Sequence, residues 1–293
     1  MKRIVILTAM TFFIHTSTHA YNTLGAMLYL CGTNPITIMT GLTTFGTDTA
    51  YSWYKRDQAS NLTALRPARP HKTVFAFDLH HVLFKPDYPT MLANALLLFF
   101  TTPRLWNIIL NPKVTFRIIC ALTSGKVGEK VLNDLGTIHP GLKEFQDKGN
   151  RIANCQIPIK RTFELIKELK KRGFEIYLLS NIGSTTFKEF QELYPDYFDD
   201  FDGFFMPMPE YTYLHKPDLR MYLLFLDTFD LKAEQTIFVD DKADNVLAAR
   251  SVGMNSVLFS EPHHFECVLH AIRALPSLPG PVPASPQACN QDS

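Results

Sequence analysis

The sequence predicts an α/β domain of three layers, a parallel sheet between two sets of helices, with a separate helical region inserted into it. Three observations carry this reading. From Ile159 to Phe259, short apolar runs of strand length alternate with amphipathic segments of helix length. A further apolar run of the same kind, Thr73–Asp78, stands alone far upstream. Between the two, residues 86–154 change character to apolar segments broken by prolines.

The elements can be justified in chain order. "TVFAFD" is apolar at consecutive positions, which suits a strand buried on both faces, and it delivers Asp78 into a turn. Residues 86–154 then read as helices: "PTMLANALLLFF", "RLWNIIL" and "VTFRIICAL" are interrupted by Pro103 and Pro112, and "VGEKVLNDLGTIHPGLKEFQ" has apolar residues at helical spacing. "IKRTFELIKELKKRG" places Phe163, Ile166 and Leu169 on one stripe, with basic residues in its last turn and Gly173 as a stop. "FEIYLLSN" is a strand ending in Ser180 and Asn181, and "FDGFFMPMP" contains another. "HKPDLRMYLLFLDTF" begins a helix with Pro217 near its first turn. "QTIFVDD" is a strand ending in Asp240 and Asp241, "KADNVLAARSVG" a helix closed by Gly253, and "NSVLF" a last strand.

Composition bounds the rest. Lys and Arg number 29 against 28 Asp and Glu, so a net charge of +1 gives no basic surface for nucleic acid. Residues 1–20 have a basic start, an apolar centre from Ile4 to Ile14 and a small-residue ending, the layout of a signal peptide, which implies an exported or envelope-associated protein. Retention of those residues would imply a cytoplasmic one. Residues 21–71 read as an uncharged apolar segment followed by a polar linker, "LRPARPHK". Glycines and Pro35 disfavour a spanning helix there, so packing on the domain is the favoured reading. Membrane association through this segment or the greasy insert stays open. The five cysteines show no metal-ligand spacing. The proline-rich tail, residues 276–293, reads as disordered.

Four strand or loop ends carry polar groups that apolar strands do not need: Asp78, Ser180–Asn181, Lys216 and Asp240–Asp241. In a parallel sheet the carboxyl ends of the strands gather on one edge, where ligands bind. A carboxylate nucleophile, a hydroxyl and amide, an ammonium and an acid pair together suit a phosphoryl group and a divalent ion. Each piece has a plainer reading. A strand-end Asp can be an N-cap, Ser-Asn is good turn chemistry, and a lysine is usually solvated. Adjacent acids after "TIFV" are harder to dismiss, because they repel unless a cation offsets them.

In this order, "FDLHHVLF", "LLSN", "HKPD" and "IFVDDKADNVLAARSVGM" resemble the haloacid dehalogenase-like hydrolase superfamily, over roughly Thr73 to Glu261. The branch it is most similar to has a helical cap inserted after the first motif. The resemblance implies a Rossmann-like core formed by residues 72–85 and 155–265, with residues 86–154 as the cap. It implies a Mg²⁺-dependent phosphatase acting on a small-molecule phosphate ester through an aspartyl-phosphate on Asp78. Ser180 and Asn181 would meet the phosphoryl group, and Lys216 would orient nucleophile and phosphate. Mg²⁺ would be held by Asp78, the backbone carbonyl of His80, and Asp241, with Asp240 in support and Asn245 further out. The family's dehalogenating members work without a metal, which leaves the acid pair without a purpose.

The chain departs from that pattern at His80, where family phosphatases carry a second Asp, and at His81, where the turn usually has Gly. Three readings follow: His80 as a replacement acid/base, a slow enzyme that stalls at the aspartyl-phosphate, or a binding protein that has lost turnover.

Overall fold

The structure, a computed structural model, describes residues 52, 54–62, 65, 67–114, 117, 136–145, 148, 151, 152, 154–207 and 214–276. The leader-like residues 1–20, the apolar segment that follows them and the proline-rich tail beyond Pro276 lie outside these residues. The described residues group into two compact units, one from 55–86 and 156–276, the other from 87–117 and 136–155.

Strand β1 (Val74–Phe77) is fully buried and lies at the centre of a five-stranded sheet. Strands β2 (Phe84–Pro86) and β3 (Gln156–Pro158) form a separate antiparallel ribbon. Next come helix α3 (Lys160–Lys171), strand β4 (Glu175–Leu179), helix α4 (Ser184–Leu193) and strand β5 (Gly203–Phe205). Helix α5 (Leu219–Thr228), strand β6 (Thr236–Asp240), helix α6 (Ala243–Ser251), strand β7 (Asn255–Leu258) and helix α7 (Pro262–Ala271) complete the unit. The sheet order is β5-β4-β1-β6-β7, with every pairing parallel. The expected five strands are thus all present.

The two-residue period of the strands makes the layers. Phe75, Phe77, Ile176, Leu178, Ile237 and Val239 face one side and pack against Phe163, Ile166 and Leu169 of α3, Phe190 of α4 and Phe265 and Leu269 of α7. Val74, Ala76, Tyr177, Leu179 and Phe238 face the other and meet Met221, Tyr222 and Phe225 of α5 and Ala249 of α6. Strand order turns at β1: β4 and β5 extend to one side, then the chain crosses to β6 on the other. The crevice beyond the carboxyl ends of β1 and its neighbours is where such sheets bind ligands.

Three details differ from the sequence reading. The stretch read as a linker is packed on the core: Ala68 is buried and donates its N–H to Ile272 O (2.7 Å), and His71 N–H reaches Gly173 O (3.0 Å). Just upstream, Arg250 donates to Gln58 O and Ala59 O at the end of the helical stretch 54–60, and Lys55 pairs with Asp244. Pro217 lies outside its helix, because Asp218 is the N-cap and accepts from Arg220 N. The β2–β3 ribbon was not foreseen; each strand has three residues and includes a proline, too little to read as a strand. That ribbon brings Pro86 beside Gln156, so the chain leaves and re-enters this unit at adjacent points.

In the inserted unit, α1 (Tyr88–Thr101) is capped by Asp87, which accepts from Thr90 N–H and Oγ1–H, and α2 (Pro103–Ile109) follows. A 3₁₀ turn spans Pro140–Phe145. No helix among the described residues is long and apolar enough to cross a membrane.

Phe84, at the start of the ribbon, is fully buried within an aromatic cluster, its ring 5.0 Å from those of Phe190 and Tyr194 and 5.4 Å from Phe163. Phe84→Ala should therefore cost about 3–5 kcal/mol in denaturant unfolding, the range for a large aromatic lost from a core. A loss below about 1 kcal/mol would mean that the ribbon does not anchor this unit.

Candidate active site

Backbone pairing carries Asp78 beyond the end of β1, with its N–H on Val239 O (2.9 Å). A tight loop then closes back on itself: Leu83 and Phe84 donate to Leu79 O, and His81 N–H donates to Phe84 O (2.6 Å). His81 takes a left-handed backbone, φ 62°, a region that glycine adopts most readily. Histidine is among the non-glycine residues that adopt this region more readily than bulkier ones. Leu79, Val82 and Leu83 point into the core and are fully buried, whereas His80 and His81 stay partly exposed.

Lys216 connects the strand ends. Its Nζ lies 2.7 Å from Asp240 Oδ2, 2.7 Å from Leu179 O and 3.0 Å from Asp78 Oδ1. Those are three acceptors for the three hydrogens of an ammonium. The Phe238 ring, 4.9 Å from Nζ, adds a cation–π contact. The position of Lys216 is fixed by Asn181, whose Oδ1 accepts from Lys216 N (2.8 Å) and whose Nδ2 donates to Lys216 O (2.9 Å). Asn181, read from sequence as a substrate contact, thus makes its side-chain bonds to the lysine backbone. Ser180 is fully buried beside it, with Oγ accepting from Ile182 N (3.4 Å).

Asp240 is a heavily solicited acceptor. Besides Lys216 it takes Lys242 N–H (2.8 Å) and Asn245 Nδ2–H on both oxygens (2.9 and 3.0 Å). These donors favour its ionised form, Lys216 above all, but burial and the nearby Asp78 charge outweigh them and push its carboxyl above the usual value. Asn245 is fixed by the fold, since its own carbonyl accepts from Tyr222 Oη (2.9 Å). Asp241 differs. Its Oδ1 is buried and has no hydrogen-bond partner. Burial above all, then the charges of Asp240 and Asp78, push its carboxyl up to about 7.

The other groups respond to the same crowding. Burial works against ionisation of Asp78, but Lys216 and His80 outweigh it and hold the carboxyl below its usual value. Burial also opposes the Lys216 charge, and Asp240 and Asp78 more than compensate. His80 is lowered to about 4, mainly by burial, with Asp78 opposing and Lys242, His81 and Lys216 adding to it. A shift of this direction favours the neutral ring. Lys242 is the group that sequence reasoning passed over, although its signal, a base directly after two acids, is plain in "DDK".

One oxygen from each of Asp78, Asp240 and Asp241 lies within 4.8 Å of the others. An all-oxygen donor set with an orphaned, partly desolvated carboxylate is what a hard divalent cation such as Mg²⁺ needs. The residues fit that group.

A pH dependence follows. With its folded value near 7 above an unfolded one near 4, Asp241 contributes stability in full below about pH 4, and that contribution is lost as pH rises towards about 7. Metal-free protein should thus show a thermal midpoint that falls over this window, and Asp241→Asn should flatten the fall. Mg²⁺ at about 100 times its Kd should restore about 2.7 kcal/mol at pH 7.5 in the natural protein and almost none in the variant. An equal response in both would remove Asp241 from cation binding.

A profile described as haloacid dehalogenase-like hydrolase matches residues 127–253. A sesquiterpene phosphatase of Aspergillus oryzae is 32% identical over 162 residues, which are 51% of this chain and 80% of that protein. An enolase-phosphatase E1 of Persephonella marina is 28% identical over 126 residues, 41% of this chain and 55% of the other. A drimenol cyclase of Aspergillus calidoustus matches 34% of this chain at 34% identity, and only 18% of its own length is covered. Among solved structures, a HAD family enzyme of Bacteroides thetaiotaomicron in complex with magnesium and inorganic phosphate superposes with a TM-score of 0.45 at 16% identity, covering 64% of this chain and 94% of that one. On the sequence match across four-fifths of the Aspergillus phosphatase, the chain belongs to the haloacid dehalogenase-like hydrolases and has phosphatases among its relatives.

Proposed function

We propose that the protein is a Mg²⁺-dependent phosphatase that hydrolyses an organic phosphate monoester through an aspartyl-phosphate on Asp78. The observation that carries this is the Lys216 ammonium between Asp78 and Asp240, with the orphaned Asp241 carboxylate close by. Asp78, Asp241 and the His80 backbone carbonyl would hold the cation, and Asp240 would support them. When bound, Mg²⁺ supplies positive charge for the phosphoryl oxygens. The relative from A. oryzae is a sesquiterpene phosphatase, which makes a sesquiterpenyl phosphate the first ester to test.

In the first half of the reaction a carboxylate oxygen of Asp78 attacks phosphorus and the bond to the leaving oxygen breaks. Lys216 holds Asp78 ionised and aimed, and Ser180 at the end of β4 offers a hydroxyl towards the phosphoryl group. In the second half a water attacks the aspartyl-phosphate, the bond from phosphorus to Asp78 breaks, and inorganic phosphate leaves. The neutral His80 ring suits the second half, where it accepts the proton of the attacking water. It does not supply the acid proton that a carboxylic acid at this position would give the leaving alcohol. Esters with weakly basic leaving oxygens are therefore the better substrates.

A second reading, a protein that binds phosphate without turning it over, is favoured by His80 standing where family phosphatases have Asp. One set of assays separates the two. A panel of phosphate esters should show Mg²⁺-dependent turnover that rises steeply as the leaving alcohol becomes more acidic, and Asp78→Asn should lower it by at least about 10³-fold with the fold retained. His80→Asp should raise turnover of alkyl esters by about 10²-fold, the usual worth of a placed general acid, and flatten the leaving-group dependence. Turnover that survives Asp78→Asn would sink the mechanism. Phosphate binding with no turnover in either His80 form would favour the second reading.

A further inference from the structure

A different feature lies wholly within the inserted unit. An open cavity of about 520 Å³ is lined by Arg104, Ile108, Pro140, Gly141 and Lys143. Arg104 and Ile108 are four residues apart on α2, which puts both on one side of that helix. Pro140, Gly141 and Lys143 come from the 3₁₀ turn, whose start is fixed by Gly141 N–H donating to His139 Nδ1 (3.1 Å). Gly141 approaches α2 so closely that an added Cβ would stand 2.8 Å from Ile108 Cδ1. Beneath the lining, Ile108, Val114 and Leu142 form a small buried cluster with Leu98 and Ile138 packed on it. The cavity therefore has a well-supported apolar floor and two cationic walls.

Some surface bases of the other unit reach acids: Arg161 pairs with Glu164 and Glu266, Lys170 with Asp202, and Arg220 with Asp218. No ion pair of Arg104 or Lys143 occurs among the described side chains. No Asp or Glu occurs from Tyr88 to Gly128, a run that contains Arg104, Lys113, Arg117 and Lys126, whereas Glu144 directly follows Lys143. Two like charges lining one concavity repel each other until an anion joins them. A phosphate can match both, through the guanidinium fork on one side and the ammonium on the other. At about 520 Å³ the space is of small-molecule size, so a bare phosphate would leave the apolar floor uncovered.

We propose that this cavity is a binding site for an amphiphilic organophosphate, its head between Arg104 and Lys143 and its apolar chain on Ile108 and Pro140. The head can come from a soluble ester or from an anionic lipid. The proposal uses residues of the inserted unit alone and does not depend on turnover at Asp78.

The test uses the full chain treated with EDTA, so that the acids beyond β1 lack a cation. Titration calorimetry with n-decyl phosphate below its micellar concentration should find one site, at least 10-fold tighter than for inorganic phosphate or decanol and weakened by salt. Arg104→Gln combined with Lys143→Gln should weaken it at least 10-fold with an unchanged circular dichroism spectrum. Arg104→Lys should retain most of the affinity, and Asp78→Asn all of it. Sedimentation with phosphatidic acid vesicles, against phosphatidylcholine vesicles, distinguishes the sources. Vesicle binding that n-decyl phosphate fails to displace, but that the double variant loses, assigns the head to a lipid. Displacement assigns it to a soluble ester. Equal binding of decanol, binding unaffected by the double variant, or no binding of monomer or vesicle would overturn the proposal.

Discussion

Two buried carboxylates face one another across the sheet edge, and the ammonium of Lys216 is what lets them do so. Asp78 ends one strand and Asp240 ends its neighbour, each almost inaccessible to water. At a separation within 4.8 Å, two such charges repel by at least about 3 kcal/mol for an effective dielectric of about 20. Lys216 offsets this with one hydrogen to each acid and the third to the Leu179 carbonyl. A buried ion group of this kind is poor evidence for stability, since desolvation consumes much of the Coulomb gain. Its plainer consequence is directional: one oxygen of Asp78 is tied down, and the carboxylate is kept ionised.

The rest of the fold can be read as the means of holding that ammonium in place. Lys216 sits on a loop, where a four-carbon side chain would ordinarily wander. Asn181 prevents this with two hydrogen bonds to the lysine backbone, and Asn181 is itself positioned by the end of β4. Asp240 is steadied by Asn245 and by the Lys242 N–H at the start of α6. Asn245 is in turn tied to Tyr222 on α5. Four chain segments spread over more than 160 residues of sequence meet here, at the edge where the parallel strands end. The chain leaves this unit only once the first motif is complete. It returns beside its exit through the β2–β3 ribbon.

How much of this was legible in the sequence depended on how local each signal was. The five strands could be read because each is buried on both faces and so apolar at consecutive positions. Asp78, Asp240 and Asp241 could be read because they are polar groups at the ends of such runs, and Lys216 because "HKPD" stands between them in the order of the resemblance. The work of Asn181 could not, because it depends on a contact with a residue 35 positions away. The stretch "LRPARPHK" looked like a linker on composition, yet Ala68 and His71 bond to partners some 100 to 200 residues downstream. The left-handed backbone at His81 runs against the residue type, so the sequence left the geometry of that turn unsettled.

The central claim is that this tied carboxylate is the nucleophile. The most direct measurement is to mix the protein with a turned-over phosphate ester and Mg²⁺, quench it in acid within one turnover, and reduce with borohydride before peptide mass spectrometry. An acyl-phosphate is reduced by this treatment and an untouched carboxylate is not. The account predicts homoserine at position 78 and at no other acid. Turnover that leaves Asp78 unreduced, or the label at Asp240 or Asp241, would contradict it.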